Sequence, residues 1–155
     1  MDPLRSMSRV RDRLRVARGA ELIEFALVLP VMLLILAGIL DMGFLFNNYA
    51  VVTNAAREGA RMAAVPGWAE ADVKARVNKY IAGAGLQLAG VTTSVQPVAI
   101  DVGGGRSVNG VKVVVSYPYT YLILGPVATM IQRGSISNIT VQAAATMRAE
   151  IAAGL

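Results

Sequence analysis

The sequence predicts an α+β fold: a long N-terminal helix, a short second helix, then a three-stranded antiparallel sheet. Three observations carry that prediction. An apolar run from Phe25 to Phe46 continues to Val65 without a helix breaker. Pro66-Gly67 then supplies a stop. Beyond Gly85 the apolar spacing changes from helical to alternating, most plainly over Ile139–Met147.

The first nineteen residues form a basic leader. Arg5, Arg9, Arg11, Arg13, Arg15 and Arg18 against Asp2 and Asp12 give residues 1–19 a charge of +4. From Ala20 onward, nine basic and eight acidic residues leave only +1 of the chain's formal +5. The basicity therefore belongs to the tail rather than to a folded surface. A nucleic-acid-binding domain would carry a basic face with interleaved aromatics, and no such pattern is present. Nucleic acid is not an expected partner.

The helix expected over residues 20–65 begins as a membrane span. Residues 25–46 carry one charge, Asp41, and as a helix extend roughly 33 Å, enough for a bilayer core of about 30 Å. The run is apolar on every face, which argues against a buried core helix with a polar stripe. Only 16% of the 155 residues are charged, against about 25% in ordinary soluble domains. Pro30, in the first third, is expected to kink the helix rather than end it. Six arginines precede the span and only Arg57 and Arg61 follow closely, so the N-terminus is expected inside and the chain beyond Phe46 exported. A bacterial inner membrane with a periplasmic C-terminal part fits this charge bias. A removable secretory signal fits less well, since the apolar run exceeds 7–15 residues and no small-residue cleavage site follows it.

Two acidic residues stand out against this run. Glu24 lies at its entrance, where a lone carboxylate is costly at depth and is kept by a neutralising partner. A simpler reading places Glu21 and Glu24 in a first helical turn, favoured by the macrodipole. Asp41, near the exit, is expected either to pair with a partner's cation within the membrane or to be hydrated at headgroup level.

Past the membrane, Asn47, Asn54, Arg57, Glu58 and Arg61 share one sector of the helix. Opposite them run two small-residue rows, Ala55, Gly59 and Ala63, and Ala56, Ala60 and Ala64, at four-residue spacing. Such rows admit another backbone closely, either a partner helix during assembly or this chain's own sheet.

Residues 66–155 are expected to form a periplasmic α+β domain. Val73, Val77, Tyr80 and Ile81 recur at helical spacing, and Gly83 and Gly85 end that helix. Val91–Ile100 reads as a strand, with Pro97 suiting an edge or bulge. Gly103-Gly104-Gly105 makes a turn, and Val111, Val113, Val115 and Tyr117 alternate on the next strand. In the last, Ile139, Val141, Ala143, Ala145 and Met147 alternate with more polar positions. Tyr119–Ile131, broken by Gly125-Pro126, is too short to recross a bilayer. It is expected to be buried, over the sheet or in the interface, with an exposed partner surface as the alternative.

Chemistry of the usual catalytic kinds is excluded by composition. The chain has no cysteine and no histidine, which removes disulfides, thiolate nucleophiles, common zinc sites and Ser-His-Asp triads. Gly83-Ala84-Gly85 follows a helix rather than a strand and is no dinucleotide fingerprint. No convergent carboxylate pair or nucleophilic lysine is evident. The expectation is a non-enzyme with no catalytic residues, no metal, no cofactor and no small-molecule substrate.

The order of a basic leader, Gly19, then Ala20-Glu21-Leu22-Ile23-Glu24-Phe25 and an apolar helix resembles the class III signal of type IV pilins and pseudopilins. The string from Arg18 to Gly43, with "NNYAVVTNAAREGARMAA", "VVVSYPYTYL" and "ITVQAAATMRAE", resembles TadE-like proteins of the tight-adherence (Flp) pilus system. Glu21 departs from that pattern, in which this position is more often apolar or small, and bears on the efficiency of cleavage. The resemblance implies a pilin-like fold. It implies cleavage between Gly19 and Ala20 by a prepilin peptidase, with Glu24 and Phe25 as the recognition residues. It further implies that Glu24 pairs with the new α-amino group of a neighbouring subunit. The implied partners are the membrane, the prepilin peptidase, a sister (TadF-like) minor pseudopilin, the secretion platform and the major Flp pilin. The implied work is pilus assembly by a minor pseudopilin. The rival reading is an unprocessed single-pass anchor whose periplasmic domain binds something else.

Overall fold

The computed structural model describes residues 3–131 and 138–150. Residues 1–2 of the expected leader and the last five residues of the expected C-terminal domain lie outside them. The element order is α1 (Pro3–Ala63), α2 (Glu70–Gly83), β1 (Thr92–Asp101), β2 (Ser107–Thr120), α3 (Leu124–Ile131) and β3 (Asn138–Arg148). The α+β architecture read from the sequence is the one observed. It is divided into two compact units, Met1–Leu40 and Asp41–Leu155.

The first unit is a stretch of α1 that carries Pro30 within it. Its apolar side chains from Leu22 to Leu40 are largely exposed. The helix is long and apolar enough to cross a membrane.

The second unit begins at Asp41 and takes in the rest of α1 together with the sheet. Here α1 runs to Ala63, two residues short of the expected end, and Ala64 N–H still donates to the Ala60 carbonyl at 3.0 Å. Gly67 takes φ of 100° in the turn that follows, a conformation L side chains rarely adopt. The α2 helix starts after Ala69, whose N–H donates to Asp72 Oδ2 at 3.1 Å. Alanine has no side-chain acceptor to return the bond, so this is half of a capping box.

The sheet has the order β1-β2-β3, both pairs antiparallel. Pro97 sits on the edge strand β1, as its missing N–H requires. The turn between β1 and β2 holds Gly103, Gly104 and Gly105, all at positive φ. Val113 faces Val95 on one side and Ala145 on the other, and Val115 faces Ala143. One face thus gathers Val113, Val115, Tyr117, Tyr119, Val141 and Ala143, all buried. The opposite face carries Gln96, Lys112, Ser116, Thr140, Gln142 and Thr146, the one-sided burial usual for antiparallel sheets.

The core joins that face to Val52, Ala55, Ala56 and Ala60 of α1 and Val73, Val77 and Ile81 of α2. Tyr80, expected on the same apolar face of α2, is 40% exposed instead. Three apolar positions four residues apart (Val73, Val77, Ile81) suffice to dock a helix of this length, and Tyr80 falls to the side of that line.

Candidate functional site

The junction residues are placed by α1. Gly19 and Ala20 lie on its backbone, and Glu24 follows Ala20 by four residues, one turn along the same face. Glu24 and Phe25 are exposed, and Glu24 has no hydrogen bond or ion pair among the described residues. Among the described residues, this carboxylate is thus without an intrachain partner at the head of an apolar helix.

Asp41 is the opposite case. Its exposure is 0%, the only polar or charged residue buried among those described. The carboxylate accepts backbone hydrogen bonds from three consecutive residues across the chain. Leu122 N–H donates to Oδ1 at 3.1 Å, Ile123 N–H to both oxygens at 3.1 and 3.2 Å, and Leu124 N–H to Oδ2 at 2.7 Å. Tyr119 Oη donates to the Asp41 backbone carbonyl at 3.0 Å. Leu124 opens α3, so Asp41 caps that helix from a distance of more than eighty residues in sequence. Four charge-assisted bonds and the positive end of a helix stand in for a cation. Of the two expectations for Asp41, a partner's cation or hydration, neither describes this arrangement: among the described residues its carboxylate is met by this chain's own backbone. Burial, with the nearby Asp41 carboxylate second, pushes the Tyr119 hydroxyl above its usual value of 10.0, so it remains a proton donor across the physiological range.

The small-residue rows also face inward. Ala55, Ala56 and Ala60 are fully buried in the core of the second unit, and Ala63 packs at its margin. A Cβ on Gly59 would stand 2.7 Å from Val77 Cγ2 and 3.3 Å from Val113 Cγ1. These rows are how α1 seats against α2 and the sheet. Of the two readings of these rows, it is packing on the chain's own sheet that fills these faces.

The polar sector of α1 forms a charged tether instead. Glu58 Oε1 accepts from Arg76 Nη2 at 2.7 Å and Nε at 3.1 Å, and Oε2 from Arg61 Nε at 3.3 Å. These guanidinium bonds, Arg76 first and then Arg61, hold the Glu58 carboxyl below its ordinary 4.5. Together with Met62, Val65 and Trp68 they line a surface depression of about 340 Å³. The depression mixes two cations, one anion and apolar walls without a nucleophile or a general base. Among the described residues no cluster of acidic side chains is arranged to hold a metal ion.

Sequence reasoning missed Arg76 and the 122–124 backbone. The only available signal was that Asp41 interrupts an apolar run, and that Val113–Gln132 is a second stretch free of charge.

Residues 19–61 match the family described as TadE-like protein. No curated protein and no solved structure matches the chain.

Proposed function

We propose that this TadE-like chain is a minor pseudopilin needed for assembly of a tight-adherence (Flp) pilus, matured by prepilin peptidase cleavage after Gly19. One observation carries the reading. The match to the TadE-like family starts at Gly19 itself, the residue at which a basic leader meets an apolar helix bearing Glu24 and Phe25. Cleavage there would give Ala20 a free α-amino group, one helical turn from Glu24. Glu24 is exposed and without an intrachain partner among the described residues. Pairing it with the Ala20 terminus of a neighbouring subunit would neutralise both charges where lipid makes each costly.

The proposed setting is the bacterial inner membrane, crossed once over residues 25–46, with the arginine-rich leader in the cytoplasm and the sheet in the periplasm. The proposed partners are the prepilin peptidase, a sister minor pseudopilin, the secretion platform and the major Flp pilin. The role is structural, and the depression at Trp68 supplies no catalytic chemistry.

The test is the intact mass and N-terminal sequence of the protein from native membranes, beside Gly19→Ala. A chain beginning at Ala20 in the wild type, with the leader retained in the variant, is the expected result. A wild-type chain that keeps residues 1–19 in cells with active prepilin peptidase would overturn the assignment. It would leave a permanently anchored periplasmic binding protein.

A further inference from the structure

We propose that the α3 end of the second unit is a bilayer-seating surface, with Leu122 and the first turn of α3 embedded in the headgroup–acyl boundary where the span leaves the membrane. The proposal rests on the reading of residues 25–46 as a membrane span and goes beyond it, since it concerns the sheet-bearing unit.

Charge distribution is the first argument. Two hydrogen bonds fix the direction of this unit along α1. Tyr119 Oη reaches the Asp41 carbonyl at one end, and Glu150 N–H reaches the Ala64 carbonyl at 2.8 Å at the other. Residues 42–56 of α1, 113–132 of β2 and its continuation, and 138–147 of β3 contain no charged residue. The ionic groups Arg57, Glu58, Arg61, Arg76, Lys112 and Arg148 belong to segments nearer the Ala64 end. Fifteen uncharged residues, a rise of about 24 Å, thus separate Asp41 from the next charge on α1. Among the described residues, Asp41 is the one charge at this end, and it is buried and fully bonded.

Depth is the second argument. Asp41 lies within the Phe25–Phe46 run, five residues or about 7.5 Å before its end. Leu122, Ile123 and Leu124 donate their N–H groups to the Asp41 carboxylate, so they lie at the same depth. Non-helical backbone is tolerated at the membrane only where its polar groups are satisfied. The Asp41 carboxylate meets that requirement for all three N–H groups of the turn leading into α3. The surface around them fits lipid: Leu122 is 66% exposed, and Met42, Phe44, Phe46 and Tyr49 are exposed as well. Tyr49, also exposed, fits the aromatic belt found at membrane boundaries.

The chain has no cysteine, so single labels can be placed without background. Leu122→Cys, Leu34→Cys and Ser107→Cys, each carrying an environment-sensitive fluorophore, are placed in the full chain in phosphatidylcholine vesicles at low protein content. Phosphatidylcholine spin-labelled at two depths, near the headgroup–acyl boundary to report 122 and 107 and near the bilayer centre to report 34, is then added. The expected result is at least about twofold quenching at 122, as at 34, for a side chain about 5–10 Å into the boundary, with 107 unaffected. Quenching at 34 with 122 no more affected than 107 overturns the seating and leaves the span intact. No quenching at 34 overturns both. Position 122 unquenched by lipid yet shielded from an aqueous reductant identifies protein, a second copy of the chain, as the cover and also overturns the proposal.

Discussion

Removing the Asp41 carboxylate tests the contact on which the α3 end depends. In Asp41→Ala, the N–H groups of Leu122, Ile123 and Leu124 lose all four bonds from the carboxylate. A buried donor left without a partner costs about 1–3 kcal/mol. With partial access of water to a segment that is only part-buried, the total is about 3–5 kcal/mol. A domain of this size is stable by only about 5–15 kcal/mol, so the loss is a large share of the whole. In Asp41→Asn, Oδ1 still accepts from Leu122 and Ile123, but an amide nitrogen then faces the Leu124 N–H, donor against donor. The expected loss is about 2 kcal/mol, near one charge-assisted bond. The assay is hydrogen exchange of the full chain in detergent or nanodiscs, followed residue by residue, with thermal melting beside it. Exchange at 122–124 is expected to rise first and most, by more than tenfold in the alanine variant, with the asparagine variant between it and wild type. The melting point is expected to fall by several degrees per kcal/mol. Unchanged exchange at 122–124 in Asp41→Ala, with an unchanged melting point, would refute the clamp.

Two further perturbations probe the seat of α1. Gly59→Ala gains up to about 1 kcal/mol of helix propensity, but its Cβ would stand 2.7 Å from Val77 Cγ2 in a closed core. Overpacking of that kind costs about 1–3 kcal/mol, so a net destabilisation is expected by chemical unfolding, and Val77→Ala in the same chain is expected to relieve it. Glu58→Gln is expected to cost about 0.5–1 kcal/mol, because its guanidinium partners are largely exposed. Since folding lowers the Glu58 pKa, its contribution is present above the ordinary 4.5 and lost as pH falls through the folded value. Melting points measured from pH 6 down to pH 3 should therefore converge for wild type and Glu58→Gln at the acid end, and parallel curves would show that the pair adds nothing.

Much of the fold was legible because its signals are local. Alternation from Ile139 to Met147 marks β3, and three consecutive glycines mark the turn before β2. The four-residue steps of Val73, Val77 and Ile81 mark α2, although Tyr80 shows that spacing alone assigns one neighbour too many. The small-residue rows were ambiguous for a physical reason. Close approach of a partner helix and close approach of the chain's own β2 both demand Gly or Ala, and only the position of Val113 and Val77 over Gly59 separates the two. Asp41 was illegible in a different way. Its partners are backbone N–H groups, which every non-proline residue has, so no residue type advertises them.

The contrast between the two acids in the apolar helix bears on assembly. Each would be costly in lipid if left alone. Asp41 is satisfied within its own chain, by donors that folding brings to it, and it needs nothing from another subunit. Glu24 has no such donors among the described residues and projects from a helix whose neighbouring side chains are exposed. A carboxylate that folding leaves unmatched, on a segment that folding leaves uncovered, is suited to intermolecular recognition, because its pairing energy is still available when subunits meet. Of the two, it is Glu24 whose replacement by Gln should leave the sheet-bearing unit's melting unchanged while weakening association between chains in the membrane. Asp41→Asn should do the reverse. Variants that failed to separate in this way would mean that both acids serve one interface.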